Sequence, residues 1–195
     1  LALLRTNSRR ECHNSPHVLL RWLLVLCATV AAPLEKMPAQ EADEYHLKAA
    51  FIFNFARFIN WPPRRENTAT DTLEICVAGA DAIADALRTA TSGKSIDSRR
   101  VTVRQLNSPG VVQGCQMLFV GSQAKKTAEI LAEAARLPIA TVGEDDNFIQ
   151  RGGMINFVPA NGKLRFEISI AASSRSGISI SSKLLQLAIK VYEKP

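Results

Sequence analysis

Apolar positions along this chain keep changing period, and each period predicts a different element. Between Tyr45 and Asn60 the residues Leu47, Ala50, Phe51, Ile52, Phe53, Phe55, Phe58 and Ile59 occupy more than one side of a 3.6-residue helix, so that helix should be substantially buried. Glu41, Asp43 and Glu44 suit its N-terminal dipole. Trp61-Pro62-Pro63 is expected to stop it, because proline disfavours helix in the residue before it. A polar stretch, Arg64 to Asp71, then reads as a loop.

Alternating short apolar runs and amphipathic segments follow. Leu73–Ala78 predicts a strand with Gly79 at its exit, Asp81–Ala90 a helix, Thr91–Arg100 a loop, and Val101–Leu106 a strand. After Asn107-Ser108-Pro109-Gly110, Cys115–Val120 predicts a strand, Gln123–Arg136 a helix, and Pro138–Val142 a strand ending at Gly143. Strand–glycine–helix units in series imply a mainly parallel sheet with helices on its faces. Met154–Val158 and Leu164–Ile170, joined by Pro159-Ala160-Asn161-Gly162, predict an antiparallel hairpin. A polar connector, Ser173–Ser182, precedes a closing helix at Lys183–Val191. The predicted fold is therefore α/β, a three-layer sandwich with a mostly parallel mixed sheet, a C-terminal antiparallel hairpin and helices on both faces.

The first 42 residues have another character. Arg5, Arg9, Arg10 and Arg21 precede an apolar run from Trp22 to Ala32, which ends in small residues and Pro33. That order is the pattern of a secretory signal peptide, with cleavage expected between about residues 31 and 42. A permanent anchor is the weaker alternative, because spanning a bilayer takes about 20 apolar residues. Residues 43–195 then form a single α/β domain. The net charge of +6 falls to +4 there, since residues 1–42 hold five basic and three acidic side chains, leaving 19 and 15. The cations are scattered, without a basic stripe or interleaved aromatics, which argues against nucleic acid as a partner.

Catalytic chemistry is not visible. Of three histidines, His13 and His17 precede the expected cleavage site and only His46 remains. Neither a Ser-His-Asp arrangement nor a transition-metal site can be assembled from that set, so no catalytic residues, metal ligands or cofactors are expected. Ser92-Gly93-Lys94-Ser95 lacks the glycine a phosphate loop needs five residues before its Gly-Lys; Arg88 stands there, and a surface turn is expected. Glu144-Asp145-Asp146 follows a strand at the carboxyl edge of the presumed sheet, where open α/β sheets bind ligands. It reads either as a hard-cation site or, the favoured alternative, as the acidic start of a helix. Arg175 suits an anionic ligand or an ion pair with a carboxylate such as Glu167.

Export also changes the reading of the cysteines. Cys12 and Cys27 leave with the signal, while Cys76 and Cys115 stay. In an oxidising compartment two cysteines suggest one disulfide, provided their strands are neighbours; the alternative is two buried thiols.

Three stretches together resemble the YfiR-like family of secreted bacterial proteins. They are Tyr45 to Pro62 with its Asn-Phe and Trp-Pro pattern, the pair Glu74–Gly79 and Gly114–Gly121, and Phe166 to Ala188. The resemblance implies a periplasmic, non-enzymatic repressor that binds the periplasmic sensor region of an inner-membrane diguanylate cyclase, lowering cyclic di-GMP and biofilm formation. It further implies release by an outer-membrane lipoprotein in some systems, and homodimers. The family's first cysteine pair maps onto Cys76 and Cys115, while a second pair maps onto Ile149 and Asn156 and is missing here. Glu167, Arg175, Ser176 and Gly177 match the family pattern in a region linked to repression, and so become the candidate partner-binding residues. The alternative function is a periplasmic small-molecule sensor, acting with a sensor kinase or transporter, with its ligand at the sheet edge around Gly79, Gly121 and Gly143.

Overall fold

Runs of Ile, Val, Leu and Phe too short to make a helix pair edge to edge and fill the centre of the molecule. The computed structural model describes residues 38–63, 72–107 and 112–193; residues 1–37 of the proposed signal segment, the Arg64–Asp71 loop and the Ser108-Pro109-Gly110 stretch lie outside them, while residues 38–42 of that segment belong to the first helix. Residues 38–195 make one compact unit.

In chain order the elements are α1 (Pro38–Ala56), β1 (Ile59–Asn60), β2 (Thr72–Ala78), α2 (Asp81–Thr91), β3 (Ser95–Ile96), β4 (Arg99–Leu106), β5 (Met117–Val120), α3 (Thr127–Ala134), β6 (Ala140–Gly143), β7 (Ile155–Ala160), β8 (Lys163–Ser169), α4 (Ile170–Arg175), β9 (Ser179–Ile180), α5 (Ser182–Leu187) and β10 (Lys190–Tyr192). Eight strands form one sheet in the order β10-β8-β7-β6-β5-β2-β4-β3, and β1 pairs with β9 in a small antiparallel ribbon. The large sheet is parallel except at β3–β4 and β7–β8. The predicted mixed α/β sandwich and its hairpin are both observed.

Two cores lie on opposite faces of the sheet. On one, Phe55 of α1 meets the rings of Phe157 and Phe166 at 5.6 and 4.8 Å between centroids, and Ile83 and Leu87 of α2 join the same cluster. On the other, Ile130 and Leu131 of α3 cover Leu118 and Val120, with Ile139 and Phe148 beside them. At ~25 cal/mol per Å² of apolar area, such burial is the main driving force for folding.

Several boundaries differ from expectation. The first helix ends at Ala56, five residues before Trp61, because Ile59–Asn60 is drawn out to pair with Ser179–Ile180. The polar Ser173–Ser182 connector is thus not a plain loop; it holds the end of α4 and all of β9. The helix expected from Gln123 starts only at Thr127, after a turn in which Lys126 takes a left-handed φ of 61°. The closing helix does not reach Val191. Ala188 is extended, Ile189 N–H donates to the Phe166 carbonyl, and Lys190–Tyr192 adds a parallel strand to β8. Satisfying the open edge of β8 outweighed the helical period of that segment.

Candidate functional site

The three places singled out from the sequence, the cysteine pair, the carboxyl edge and the Glu167–Arg175 region, have different physical characters. Cys76 lies in β2, fully buried, and Cys115 sits in the turn leading into the neighbouring β5. They form a disulfide with Cα atoms 5.8 Å apart, 39 positions apart in sequence. Sequence reading missed the polar frame around it. Arg104 donates through Nε to Glu74 at 2.9 Å and through Nη2 to the Gln113 carbonyl at 2.7 Å, with Nη2 also 3.4 Å from Cys115 Sγ. Buried Gln116 adds side-chain bonds to its backbone ones with Glu74 and Ala140: Oε1 accepts from Glu74 N–H at 2.7 Å, and Nε2 donates to the Gly114 carbonyl at 2.7 Å. Trp61 Nε1–H donates to the Gln116 carbonyl at 3.0 Å, under the Arg99 guanidinium. A cavity of about 430 Å³ opens here, lined by Ile59, Trp61, Arg99, Cys115, Gln116 and Pro138. Alternating strand period marked Arg104 and Gln116 only as polar strand neighbours.

Glu74 and the two sulfurs lie within 4.8 Å of one another, but both sulfurs are spent in the disulfide, so this cluster offers no thiolate for a metal.

The carboxyl edge, the candidate ligand crevice, is filled by the chain itself. A Cβ on Gly79 would stand 2.2 Å from the Ala124 nitrogen, and one on Gly121 would stand 2.5 Å from the Gly79 carbonyl oxygen. The turn after β5 therefore occupies the space between β2 and β5 where such sheets take ligands. Gly143 and Gly153 leave room for the ring of Phe148, which would meet a Cβ at either position within 2.3 Å. These glycines are packing residues. A cleft of about 300 Å³ remains beside Gly79, lined by Gln105, Asn107 and Lys125 among others.

Glu144-Asp145-Asp146 does not open a helix, contrary to the favoured reading; turns follow it. Asp145 pairs with Arg151 at 2.6 Å, and Glu144 turns inward. Its Oε2 accepts from Lys48 Nζ at 2.7 Å, its Oε1 accepts from Ser122 N–H at 3.1 Å, and Glu44 reaches the same ammonium at 2.7 Å. Burial of Lys48 disfavours its charge, but the hydrogen bonds and charges of Glu144 and Glu44 outweigh that, and its pKa is raised above the ordinary 10.5. This triad was not legible, since Lys48 and Glu144 are 96 positions apart. Ser92-Gly93 forms the expected turn, but Ser95 already belongs to β3 and Arg99 to β4, so the expected Thr91–Arg100 loop is partly strand; Lys94 Nζ lies 5.0 Å from the centre of the Phe53 ring.

A family model described as YfiR/HmsC-like matches residues 45–189, most of the chain. The chain belongs to the YfiR/HmsC-like family. No curated protein matches it. Within this YfiR/HmsC-like domain, Glu167 lies on β8 and accepts a hydrogen bond from Tyr192 Oη at 3.1 Å, instead of pairing with Arg175. Arg175, exposed at the end of α4, lies near Gly152, and Gly177 has the positive φ of 66° that favours glycine. Ile149 and Asn156, where the second bridge of the resemblance would fall, are both buried, and Asn156 Oδ1 has no hydrogen-bond partner among the described residues. No described helix is long and apolar enough to cross a membrane.

Proposed function

We propose that this protein is a periplasmic, non-enzymatic regulator that binds the periplasmic sensor region of an inner-membrane diguanylate cyclase and holds it inactive, lowering cyclic di-GMP and biofilm formation. Family membership over residues 45–189 is the observation that carries this reading. The Cys76–Cys115 disulfide supports it, because such bonds persist in oxidising compartments. In this reading residues 1–42 are the signal that delivers the domain 43–195, and Glu167, Arg175, Ser176 and Gly177 belong to the partner-binding region. Release by an outer-membrane lipoprotein and homodimer formation fit the same scheme.

A repressor that makes and breaks no bonds acts by differential affinity: it must bind the inactive state of the cyclase more tightly than the active one. A cross-linked sheet with a filled carboxyl edge is a stiff body for that task. The test is deletion of the gene, with cyclic di-GMP and biofilm measured in the presence and absence of the candidate cyclase. A rise that needs one membrane cyclase is expected. Unchanged cyclic di-GMP, or native protein in the cytosol with free thiols at Cys76 and Cys115, overturns the proposal.

A further inference from the structure

The period of the first helix makes it apolar on more than one side, but only one of those sides is covered. Ala49, Ile52, Phe55 and Ala56 of α1 are buried in the core shared with α2 and the sheet. The opposite side carries Asp43, Leu47, Ala50, Asn54 and Arg57, all exposed, at alternating spacings of four and three. That is heptad spacing, which sets side chains in one stripe for another helix to pack on. Arg57 belongs to the stripe because its N–H donates to the Asn54 carbonyl at 3.0 Å, in the turn that continues α1. From Leu47 to Asn54 the exposed positions hold no Asp, Glu, Lys or Arg. Leu47 is 46% exposed there, and Phe51 and Phe53 are half-buried on either side. The neighbouring α2 differs: its outer side carries Asp81, Asp85, Arg88 and Thr89, and Asp85 pairs with Arg88. A groove of about 540 Å³ runs beside Leu47, lined by Phe157, Pro159 and Leu164 among others, and widens the apolar surface. A helix that is apolar all round is ordinarily a buried one.

The stripe is also its own complement. Asp43 and Arg57 stand seven positions before and after Ala50. A second α1 laid antiparallel, with the two Ala50 residues in contact, therefore sets each Asp43 level with Arg57 of the other copy. Leu47 of each copy then falls beside Phe51 and Asn54 of the other, and Ala50 is small enough to let the backbones approach. We propose that α1 packs antiparallel on α1 of a second copy of this chain, about a two-fold axis at Ala50, with Asp43–Arg57 ion pairs at both ends. A two-fold contact uses one patch twice, and this patch meets that condition. The proposal deepens the function proposed above by giving its homodimer an interface. One helix pair is small beside the about 800 Å² per partner of stable complexes, so a dimer with Kd on the order of 10 µM, dissociating on dilution, is expected.

Sedimentation equilibrium of the full mature chain, from about 1 to about 200 µM, tests this on wild type, Ala50→Glu, Asp43→Arg, Arg57→Asp and the double swap Asp43→Arg/Arg57→Asp. Thr89→Glu, on the outer side of α2, is the control. Every substituted position is exposed, so melting should stay close to wild type. Ala50→Glu should weaken the dimer on the order of 100-fold, because it sets two carboxylates together at the axis. Each single reversal brings like charges level and should weaken it about tenfold, whereas the double swap should return to within about threefold of wild type. That recovery is a result a damaged helix does not give. Association unchanged in Ala50→Glu and in both single reversals puts the dimer on another face and overturns the proposal, while the homodimer reading stands. A wild type that stays monomeric throughout also overturns it. If Ala50→Glu then loses binding to the cyclase's periplasmic region, the stripe's occupant is that partner and not a second copy. The function itself is judged separately, by cyclic di-GMP in the deletion strain.

Discussion

Residue by residue, the disulfide and its polar frame do separate jobs. The Cys76–Cys115 bond closes a 39-position separation, which in the chain-entropy model stabilises the fold by about 4 kcal/mol. Cys76→Ala/Cys115→Ala should lower the melting temperature by on the order of 10 °C in a domain of this size, followed by circular dichroism. An unchanged melting temperature would remove the structural role of the bridge. If repression declines with it, the loss should track the folded fraction, since neither sulfur is exposed enough to touch a partner. Asn156 presents the opposite case. Its buried Oδ1 lacks a partner among the described residues, and an orphaned acceptor costs about 1–3 kcal/mol. Asn156→Val, which suits a strand and removes that oxygen, should raise the urea midpoint by the equivalent of ~1 kcal/mol. A lowered midpoint would mean that the amide is satisfied in solution, for instance by a bound water.

Elements were legible wherever local pattern and tertiary demand agreed. The strand–helix repeats and the Pro159–Gly162 hairpin follow from periods of 2 and 3.6, and the structure keeps them. The pattern misled where an element serves a distant edge. Lys183-Leu-Leu-Gln-Leu-Ala-Ile-Lys-Val is helical by period, but half of it is extended because β8 has a free side to cover. The candidate site was legible to a similar degree. Cys76 and Cys115 stood out as the cysteines left after export, and Glu167 and Arg175 through resemblance, whereas Lys48, Arg104, Gln116 and Tyr192 gain their roles only from contacts across the fold. Glycines at the carboxyl edge looked like ligand contacts and are instead places where backbone and Phe148 come too close for a Cβ. The edge strand gives a further test. Ending the chain after Leu187 removes β10 and bares the β8 edge, including the paired positions Glu167, Ile168 and Ser169. Exposed strand edges invite association, so the truncated protein should elute as oligomers or aggregate on size-exclusion chromatography. A stable monomer like the intact protein would show that β10 contributes little to protecting that edge.

On the scale of the whole domain, one ion cluster ties its layers together. Lys48 projects from α1, Glu144 follows β6, and Glu144 also accepts from Ser122 in the turn before α3, so the triad links the first helix to the carboxyl end of the sheet. Removing one member of a nearly buried pair leaves the other desolvated, and Lys48→Met should cost about 2 kcal/mol, with the half-exposed Glu44 contributing the smaller share. The pH dependence has a definite sign. The Lys48 pKa is raised on folding, so its contribution is fully present below the unfolded value near 10.5 and is lost as pH rises through the higher folded value. Urea midpoints of wild type and Lys48→Met should therefore differ by a constant amount from pH 7 to about pH 10 and converge above it. A gap that stays constant through pH 11.5 would mean the ammonium is not what holds α1 to the sheet, and that the cost of the substitution lies in lost packing.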